Sequence, residues 1–442
     1  MVRQTTSSLG VLNATRSPTL FVDISETYHS GLRTGIQRVT IETYFRRNDI
    51  ALAAGLGRAQ ALVCDALTGR PLNVKEAMIE ATMSSEASGP PFERKWTIND
   101  HLLGLLLRLR EYLVSRRLGR MLELFPITWL AWLVRYLLRG SEHSGRADIP
   151  RRGDVVLVVD SVWGYPRRLK YFKKLRRRGV QFASFSYDLI PMTHPHLTHN
   201  LELFEGAVRR LLDLSALVLC ISEFTKTELT RLFPEALEKS ETVWLGCDFA
   251  KHKALPTDQK GKRRPNSILV LGTVEPRKNY SFLLDWFESE GGAAFSMTVV
   301  GGAGWNTEEL QQRMRRIQSD GDRFTWYPYA SDRELRTLLL EHEFGVQASL
   351  VEGFGLPIWE MSHCGLILVL SDIPVFRELA PHGAVFFDPY SRTSFSNALK
   401  SAAIVHETAE VMNGGANREI SVRSWDAFAT DVAGALGRMI RT

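Results

Sequence analysis

Four cysteines in 442 residues, with no C-x-x-C pair among Cys64, Cys220, Cys247 and Cys364, supply neither a zinc ribbon nor a disulfide framework. That usage suits a reducing compartment. The first twenty residues have no apolar h-region, so no signal peptide is expected and residues 1–18 read as a flexible tail. No apolar run approaches the ~20 residues that a spanning helix needs; the longest, ending at Arg135, has about ten. No Gly-x-Gly-x-x-Gly follows a strand, which argues against a dinucleotide oxidoreductase, and no Gly-x-Ser-x-Gly is present, which argues against an α/β-hydrolase. Acidic residues are absent from 167–178, "RRLKYFKKLRRR", where eight of twelve residues are basic.

What is present is an ordinary globular composition, 44% apolar and 24% charged, which can build a large core and excludes disorder as the default state. The length allows two or three domains. The net charge of +6 turns attention to where the cations lie.

The chain reads as two α/β units, each a doubly wound, Rossmann-like domain. "TLFVDIS" (19–25) opens the first, followed by a glycine-bearing loop and a helix in "YHSGLRTGIQRVTIETYFRR". "DVVLVVD" (154–160), "VQFASFSYDLIP" (180–191) and "ALVLCIS" (216–222) have the continuous apolar character of buried parallel strands. The polar, basic segment 251–266 reads as a linker between a first domain at 19–250 and a second at 267–425, with a helix at 426–442. Strands of the second are expected at "SILVLGT" (267–273), "SMTVVGG" (296–302), "FGVQAS" (344–349), "LILVLSD" (366–372) and "AVFFD" (384–388). Ligands of such sheets bind beyond the carboxyl ends of the strands.

A helical insertion at about 95–145 interrupts the first domain. Its core, residues 101–139, is rich in leucine and tryptophan and carries seven arginines against two glutamates. Two readings fit: a hairpin packed on the core, or amphipathic helices on a membrane surface with Trp129 and Trp132 at headgroup level. The basic run 167–178 favours the second, since each cation near an anionic bilayer contributes about 1 kcal/mol. A solvated helix face is the plainer account of such a run. Nucleic acid would also suit it, but no nucleic-acid module is recognisable, and none is expected as a partner.

Three stretches carry chemistry. In "LVEGFGLPIWE" (350–360), Gly353 and Gly355 lead into a helix with Pro357 in its first turn, a site of free N–H groups. Glu352 and Glu360 flank it, and two carboxylates so spaced can hold two hydroxyl-bearing rings. The bland alternative is a capping carboxylate and a solvated one. In "LGTVEPRKNY" (271–280), a strand ends at Gly272 and adjacent cations follow, Arg277 with a fork for phosphate and Lys278 with a point charge. In "SGLRTGIQRV" (30–39), Gly31 and Gly35 would let backbone approach phosphates.

Taken in order, "CISEFTKTEL", "GTVEPRKN" and "EGFGLPIWEMSHCGLILVLSDIP" resemble the retaining glycosyltransferases of family 4, over roughly residues 19–425. "TGIQRV" and "YDLIP" resemble more particularly bacterial O-antigen and capsule mannosyl- or rhamnosyltransferases. The resemblance implies a GT-B fold with two Rossmann-like domains facing across a donor cleft. It implies that Glu352 binds donor-sugar hydroxyls beside the backbone of Gly353, Phe354, Gly355 and Leu356, and that Glu360 holds the ribose. Arg277 and Lys278 would hold the diphosphate, near Gly272 and Thr273, with Gly35 under it from the first domain. Asp188 would lie near the sugar, as a positioning residue or a nucleophile.

The sequence departs from the family where Thr273 replaces a frequent arginine, where Tyr187 replaces a frequent histidine, and where Met361, Ser362 and His363 replace small residues. His363 reads best as a packed histidine. His194, His196 and His199 cluster in "HPHLTH", but a polar loop is the better reading than a metal site, and the "DGD" at 320–322 sits in a polar turn rather than at a strand end. No metal or cofactor is expected.

The resemblance and the residues together lead to a hexosyltransferase using a nucleotide diphosphate sugar, GDP-mannose favoured, on a lipid-linked or growing bacterial polysaccharide at the inner face of the cytoplasmic membrane. A dTDP-rhamnose enzyme is the alternative within the class, and a non-catalytic sugar- or lipid-binding scaffold the alternative outside it.

Overall fold

The computed structural model describes residues 16–30, 35–65, 68–84, 148–198, 201–247, 263–412 and 423–441. The insertion at 95–145, His199 and most of the 251–266 segment lie outside them.

The described chain forms two six-stranded, all-parallel sheets. The first runs in the order β2-β1-β3-β4-β5-β6, with β1 at Thr19–Asp23, β2 at Arg58–Leu62, β3 at Val155–Val158, β4 at Gln181–Ser186, β5 at Leu217–Cys220 and β6 at Ser240–Thr242. The second runs β12-β11-β10-β7-β8-β9, with β7 at Arg264–Leu271, β8 at Ser296–Val300, β9 at Phe324–Tyr327, β10 at His342–Gln347, β11 at Ile367–Ser371 and β12 at Val385–Phe387. The strand order reverses beside β1 and β3 in one sheet and beside β7 and β10 in the other. Such a switch point opens a crevice at the strands' carboxyl ends.

Central strands are buried along their whole length: Leu20, Val22, Val155 and Leu157 are fully enclosed, as parallel strands covered by helices on both faces must be. Two expected strand boundaries shift. Strand β7 begins at Arg264, so the last three residues read as linker are sheet, held by His342 opposite Arg264. Strand β10 begins at His342, before the apolar run, because His342 is buried and bonded at both ring nitrogens, to the Leu338 carbonyl (2.7 Å) and to Thr298 Oγ1 (2.8 Å). Strands β2, β6 and β9, which the sequence did not announce, are all edges.

The C-terminal helix Trp425–Arg441 returns to the first domain. Its Phe428 ring lies 5.9 Å from that of Phe185 on β4, and Asp426 meets the Arg46 guanidinium at 2.8 Å. Gly246 has no room for a side chain, since a Cβ there would come 2.5 Å from the Trp425 backbone. The chain has already crossed back by Arg423, whose carbonyl accepts from the Cys247 N–H (2.8 Å), slightly before the expected end of the second domain.

Candidate functional site

The turn after β7 is built by glycines. Gly272 has φ +133°, open to a residue without Cβ, and its carbonyl accepts from the Tyr280 hydroxyl at 2.6 Å. A Cβ on Gly301, after β8, would run into the Gly272 carbonyl, so "GGAG" at 301–304 packs backbone to backbone on this turn. Thr273 is exposed at its tip. A single 3₁₀ turn, Pro276–Lys278, then presents the two cations, and Asn279 closes it in the left-handed region (φ 58°).

Both cations converge on Glu352. The Arg277 guanidinium donates to Glu352 Oε2 at 2.5 Å and pairs with Glu275 at 2.6 Å. Lys278 forms an ion pair with Glu352 Oε1, which also accepts from the Ser349 hydroxyl at 2.8 Å. Glu352 is 6% exposed. Burial pushes its carboxyl pKa upward, but Arg277 and then Lys278 pull it down harder, to about 2. The carboxylate is therefore ionised at any working pH, and both oxygens are engaged. Burial works against the Arg277 charge, yet Glu352, Glu275 and Asp188 raise its pKa, so it stays a cation. Glu275, Ser349 and Tyr280 are residues around the two cations that the sequence did not single out; the Glu-x-Arg spacing of 275–277 was the available signal.

The glycine loop after Glu352 touches the first domain. A Cβ on Gly353 would collide with the Tyr187 carbonyl and come 3.1 Å from Asp188 Cβ. The Gly353 carbonyl accepts from Ser222 Oγ (2.8 Å) and Thr225 Oγ1 (3.3 Å), while Ser222 also caps the helix Glu223–Leu232. "CISEFT" thus has a physical role, clamping the second domain's loop. Phe354 is buried in the core and Gly355, at φ +98°, starts the helix Leu356–His363. A Cβ on Gly355 would come 2.9 Å from the Phe376 ring.

Glu360, on that helix, forms an ion pair with Arg38 of the helix Gly35–Phe45. Gly35 begins the latter helix, and a Cβ there would sit 3.9 Å from Leu356. Arg38 was not singled out from the sequence. Its signal was the same "TGIQRV" that supplied Gly35. Asp188 accepts from the Ile190 N–H at 3.1 Å, and burial raises its pKa against the pull of Arg277. Tyr187 donates to the Val159 carbonyl at 2.6 Å. The structure therefore brings Glu352, Arg277, Lys278, Gly272, Gly353 and Asp188 together, while Gly35 lies beside Leu356 and Glu360 pairs with Arg38 of the helix that Gly35 begins.

Other expected features fall elsewhere. His363 is only half-buried, at the end of its helix, rather than packed in the core. Asp320 follows the helix Glu308–Ser319 in an exposed turn. The His194 and His196 rings are 6.2 Å apart. Among the described residues no group of three His, Cys, Asp or Glu side chains is placed to hold a metal ion, and no helix is long and apolar enough to cross a membrane.

Residues 254–417, which hold Arg277, Lys278 and the glutamate pair, match the family model "glycosyl transferases group 1". O-antigen chain mannosyltransferase B of Escherichia coli is 26% identical over 271 residues, 59% of this chain and 70% of that protein. The serotype-specific mannosyltransferase WbdA of Escherichia coli is 31% identical over 281 residues, 58% of this chain, but the chain spans only 34% of its length. Among solved structures, Anabaena HepE in complex with UDP and glucose superposes with a TM-score of 0.52 at 15% identity, covering 95% of this chain and 94% of that one. An Escherichia coli trehalose-6-phosphate structure bound with UDP-2-fluoro glucose gives 0.53 at 14% identity, covering 96% and 97%. At those identities the likeness speaks for the fold.

The two parallel six-stranded sheets and these superpositions give the chain a GT-B type of fold, and its residues 254–417 carry the match to the glycosyl transferases group 1. Within that class, the chain resembles the O-antigen mannosyltransferases.

Proposed function

We propose that the chain is a retaining hexosyltransferase that moves mannose from GDP-mannose to a lipid-linked or growing bacterial surface polysaccharide. The observation that carries this is the Arg277–Lys278 pair, fixed by one buried carboxylate at the carboxyl end of the second sheet. Negative charge grows on a leaving diphosphate as the glycosidic bond breaks, and preorganised cations at that place lower the barrier. Because Glu352 spends its charge on holding them, they need no reorganisation when charge develops. The neighbouring Gly353–Leu356 backbone leads into a helix N-terminus suited to donor oxygens.

Retention then proceeds by attack on the face the leaving group departs. The anomeric carbon–phosphate oxygen bond breaks, the bond to the acceptor oxygen forms, and the acceptor proton passes to the departing phosphate. Asp188 accepts a backbone hydrogen bond, and burial disfavours its ionised form, which fits a positioning role better than a nucleophilic one. No metal or other cofactor takes part in this reading. The mannosyltransferase names of the relatives support the choice of sugar over rhamnose.

The membrane belongs to the same proposal. On the helix Pro166–Arg177, Arg167, Lys170, Lys173, Lys174, Arg176 and Arg177 face outward, while Phe172 and Leu175 are fully buried. Such a cationic face would hold the enzyme on the anionic inner leaflet.

Calorimetric titration with GDP, UDP and dTDP, then with their sugar conjugates, tests the donor. Preference for GDP and GDP-mannose supports the reading. Preference for dTDP transfers it to rhamnose, and no nucleotide binding at all overturns it in favour of a non-catalytic scaffold.

A further inference from the structure

The first domain contains a pocket that meets the site described above at Asp188. It lies between β4, β5 and the helix Leu201–Leu214, and its lining runs from Ile36 and Asp188, next to the donor cleft, down to Ala207, Leu212, Val218 and Leu229. The last four are buried, so the depth is apolar. Trp163 is the most exposed of the lining residues, at 38%, with its ring 5.6 Å from that of Phe204, and Asp188, Ser186, Ile36, Tyr187, Val208 and Leu211 are half-buried. Asp160, 4% exposed, also lines the pocket.

Asp160 is held rigidly. Oδ2 accepts from the Thr27 N–H at 2.6 Å and Oδ1 from the Ser161 N–H at 3.1 Å. Behind it lies Arg168, the one cation of the basic run that turns inward, pairing with Asp23 at 3.4 Å and donating to the Ser161 carbonyl. A buried cation is costly unless paired. Here Asp23 is its ion-pair partner and the Asp160 charge adds to the balance, while each Asp160 oxygen accepts one backbone hydrogen bond and has a second lone pair. Burial lifts the Asp160 pKa, and Arg168 pulls it back.

The cavity measures about 70 Å³. A dry cavity of roughly 150 Å³ takes a benzene ring. Half that space is too small for a pyranose and suits a group of about three heavy atoms. A ring bearing only hydroxyls would leave the apolar depth empty or bury unpaired polar atoms there. A methyl-terminated substituent would fill it.

We propose that this pocket is an acceptor subsite selective for a sugar carrying a methyl-terminated substituent, either N-acetyl or the C6 methyl of a 6-deoxyhexose. The methyl sits among Ala207, Val218 and Leu229, the ring lies over Trp163, and Asp160 accepts a hydrogen bond from an acceptor N–H or hydroxyl. This rests on the transferase reading, but its test does not require turnover.

Saturation-transfer NMR on the full chain, with free N-acetylglucosamine, a 6-deoxyhexose and glucose as separate probes, reads the contact directly. The expected result is transfer to the methyl protons of one or both substituted sugars, and little to glucose. Ala207→Leu abolishes it by filling the cavity. Trp163→Ala, at the most exposed part of the lining, weakens the sugar's Kd roughly tenfold or more, the usual worth of one apolar group in a pocket, and leaves the nucleotide Kd unaltered. Response of the acetyl but not the deoxy methyl, or the reverse, assigns the substituent. Equal transfer to glucose, or methyl contacts that survive both substitutions, overturns the proposal. Failure of nucleotide binding in the unaltered chain would instead overturn the transferase reading, with the NMR outcome standing by itself.

Discussion

Arg38 of the first domain and Glu360 of the second, 322 residues apart in sequence, form an ion pair that joins the helices Gly35–Phe45 and Leu356–His363. Glu360 is 8% exposed, and its negative charge has the helix Gly35–Phe45 to thank for a counter-ion. Removing the cation leaves a mostly buried carboxylate uncompensated, a loss that is severe when burial is complete and smaller when one partner stays partly wet. Arg38→Ala should lower the unfolding free energy by about 1–2 kcal/mol. Adding Glu360→Gln should restore part of it, and additive effects in a urea double-mutant cycle would show that the pair is not coupled.

Turnover should depend on the buried triad more than stability does. Lys278→Ala removes one of two preorganised cations and should cut kcat by roughly a hundredfold or more. Glu352→Ala leaves Arg277 and Lys278 without the carboxylate that aims them and should cost a similar factor. Unfolding transitions recorded alongside the kinetics separate a lost site from a lost fold. Turnover near that of the parent in either variant would remove that residue from the mechanism.

How much of this was legible follows from burial. Strands β1, β3, β4, β5, β7, β8 and β11 lie inside their sheets and had to be apolar on both faces, so "DVVLVVD" and "LILVLSD" announced themselves. Arg58–Leu62 and Ser240–Thr242 are edges, half-covered and partly polar, with no such constraint. Phe324–Tyr327, also an edge, has only four residues. The site was legible where backbone demanded glycine, at Gly272, Gly353 and Gly355. What could not be read was pairing at long range. Nothing near Arg38 points to Glu360, and nothing near Arg168 reveals that this member of a cationic run turns inward to Asp23.

The interface at Gly353 should be intolerant of any side chain. A methyl there meets the Tyr187 carbonyl, which is backbone and cannot swing away. Gly353→Ala should cost about 1–3 kcal/mol, the usual penalty for overpacking, and should depress activity by displacing the loop that carries Glu352. Ser222→Ala, which deletes both a helix cap and the bond to the Gly353 carbonyl, should cost about 1 kcal/mol. Chemical denaturation of the two variants ranks them, and a Gly353→Ala protein as stable as its parent would contradict this packing.

Anionic vesicles should capture the protein and neutral ones should not. The outward cations of the helix Pro166–Arg177 contribute about 1 kcal/mol each near such a surface. Replacing Lys170, Lys173, Lys174 and Arg177 with glutamine should reduce co-sedimentation by at least tenfold, and added salt should do the same. Binding that survives both treatments would assign the membrane contact to another part of the chain.

His342 should cost the fold stability on mild acidification, for a reason that has nothing to do with the glutamate pair. His342 is 1% exposed, and burial holds its pKa down at about 4, against about 6.5 in an unfolded chain. Between those values the unfolded state binds the proton and the folded state does not, so the folded state loses ground as pH drops from about 6.5 to about 4. The span corresponds to something on the order of 3 kcal/mol. Glu352 works in the same direction but lower: its depressed pKa stabilises the fold above the ordinary carboxylate range and loses that contribution only as pH falls towards about 2. Burial raises the pKa of Glu26 to about 8 and of Asp160 to about 6, which acts the other way over the same range, so the His342 share is read as the difference between the parent and His342→Gln in unfolding free energies measured from pH 7 to pH 4, the parent losing more on acidification. A variant whose slope matches the parent's would place the responsible proton on another group.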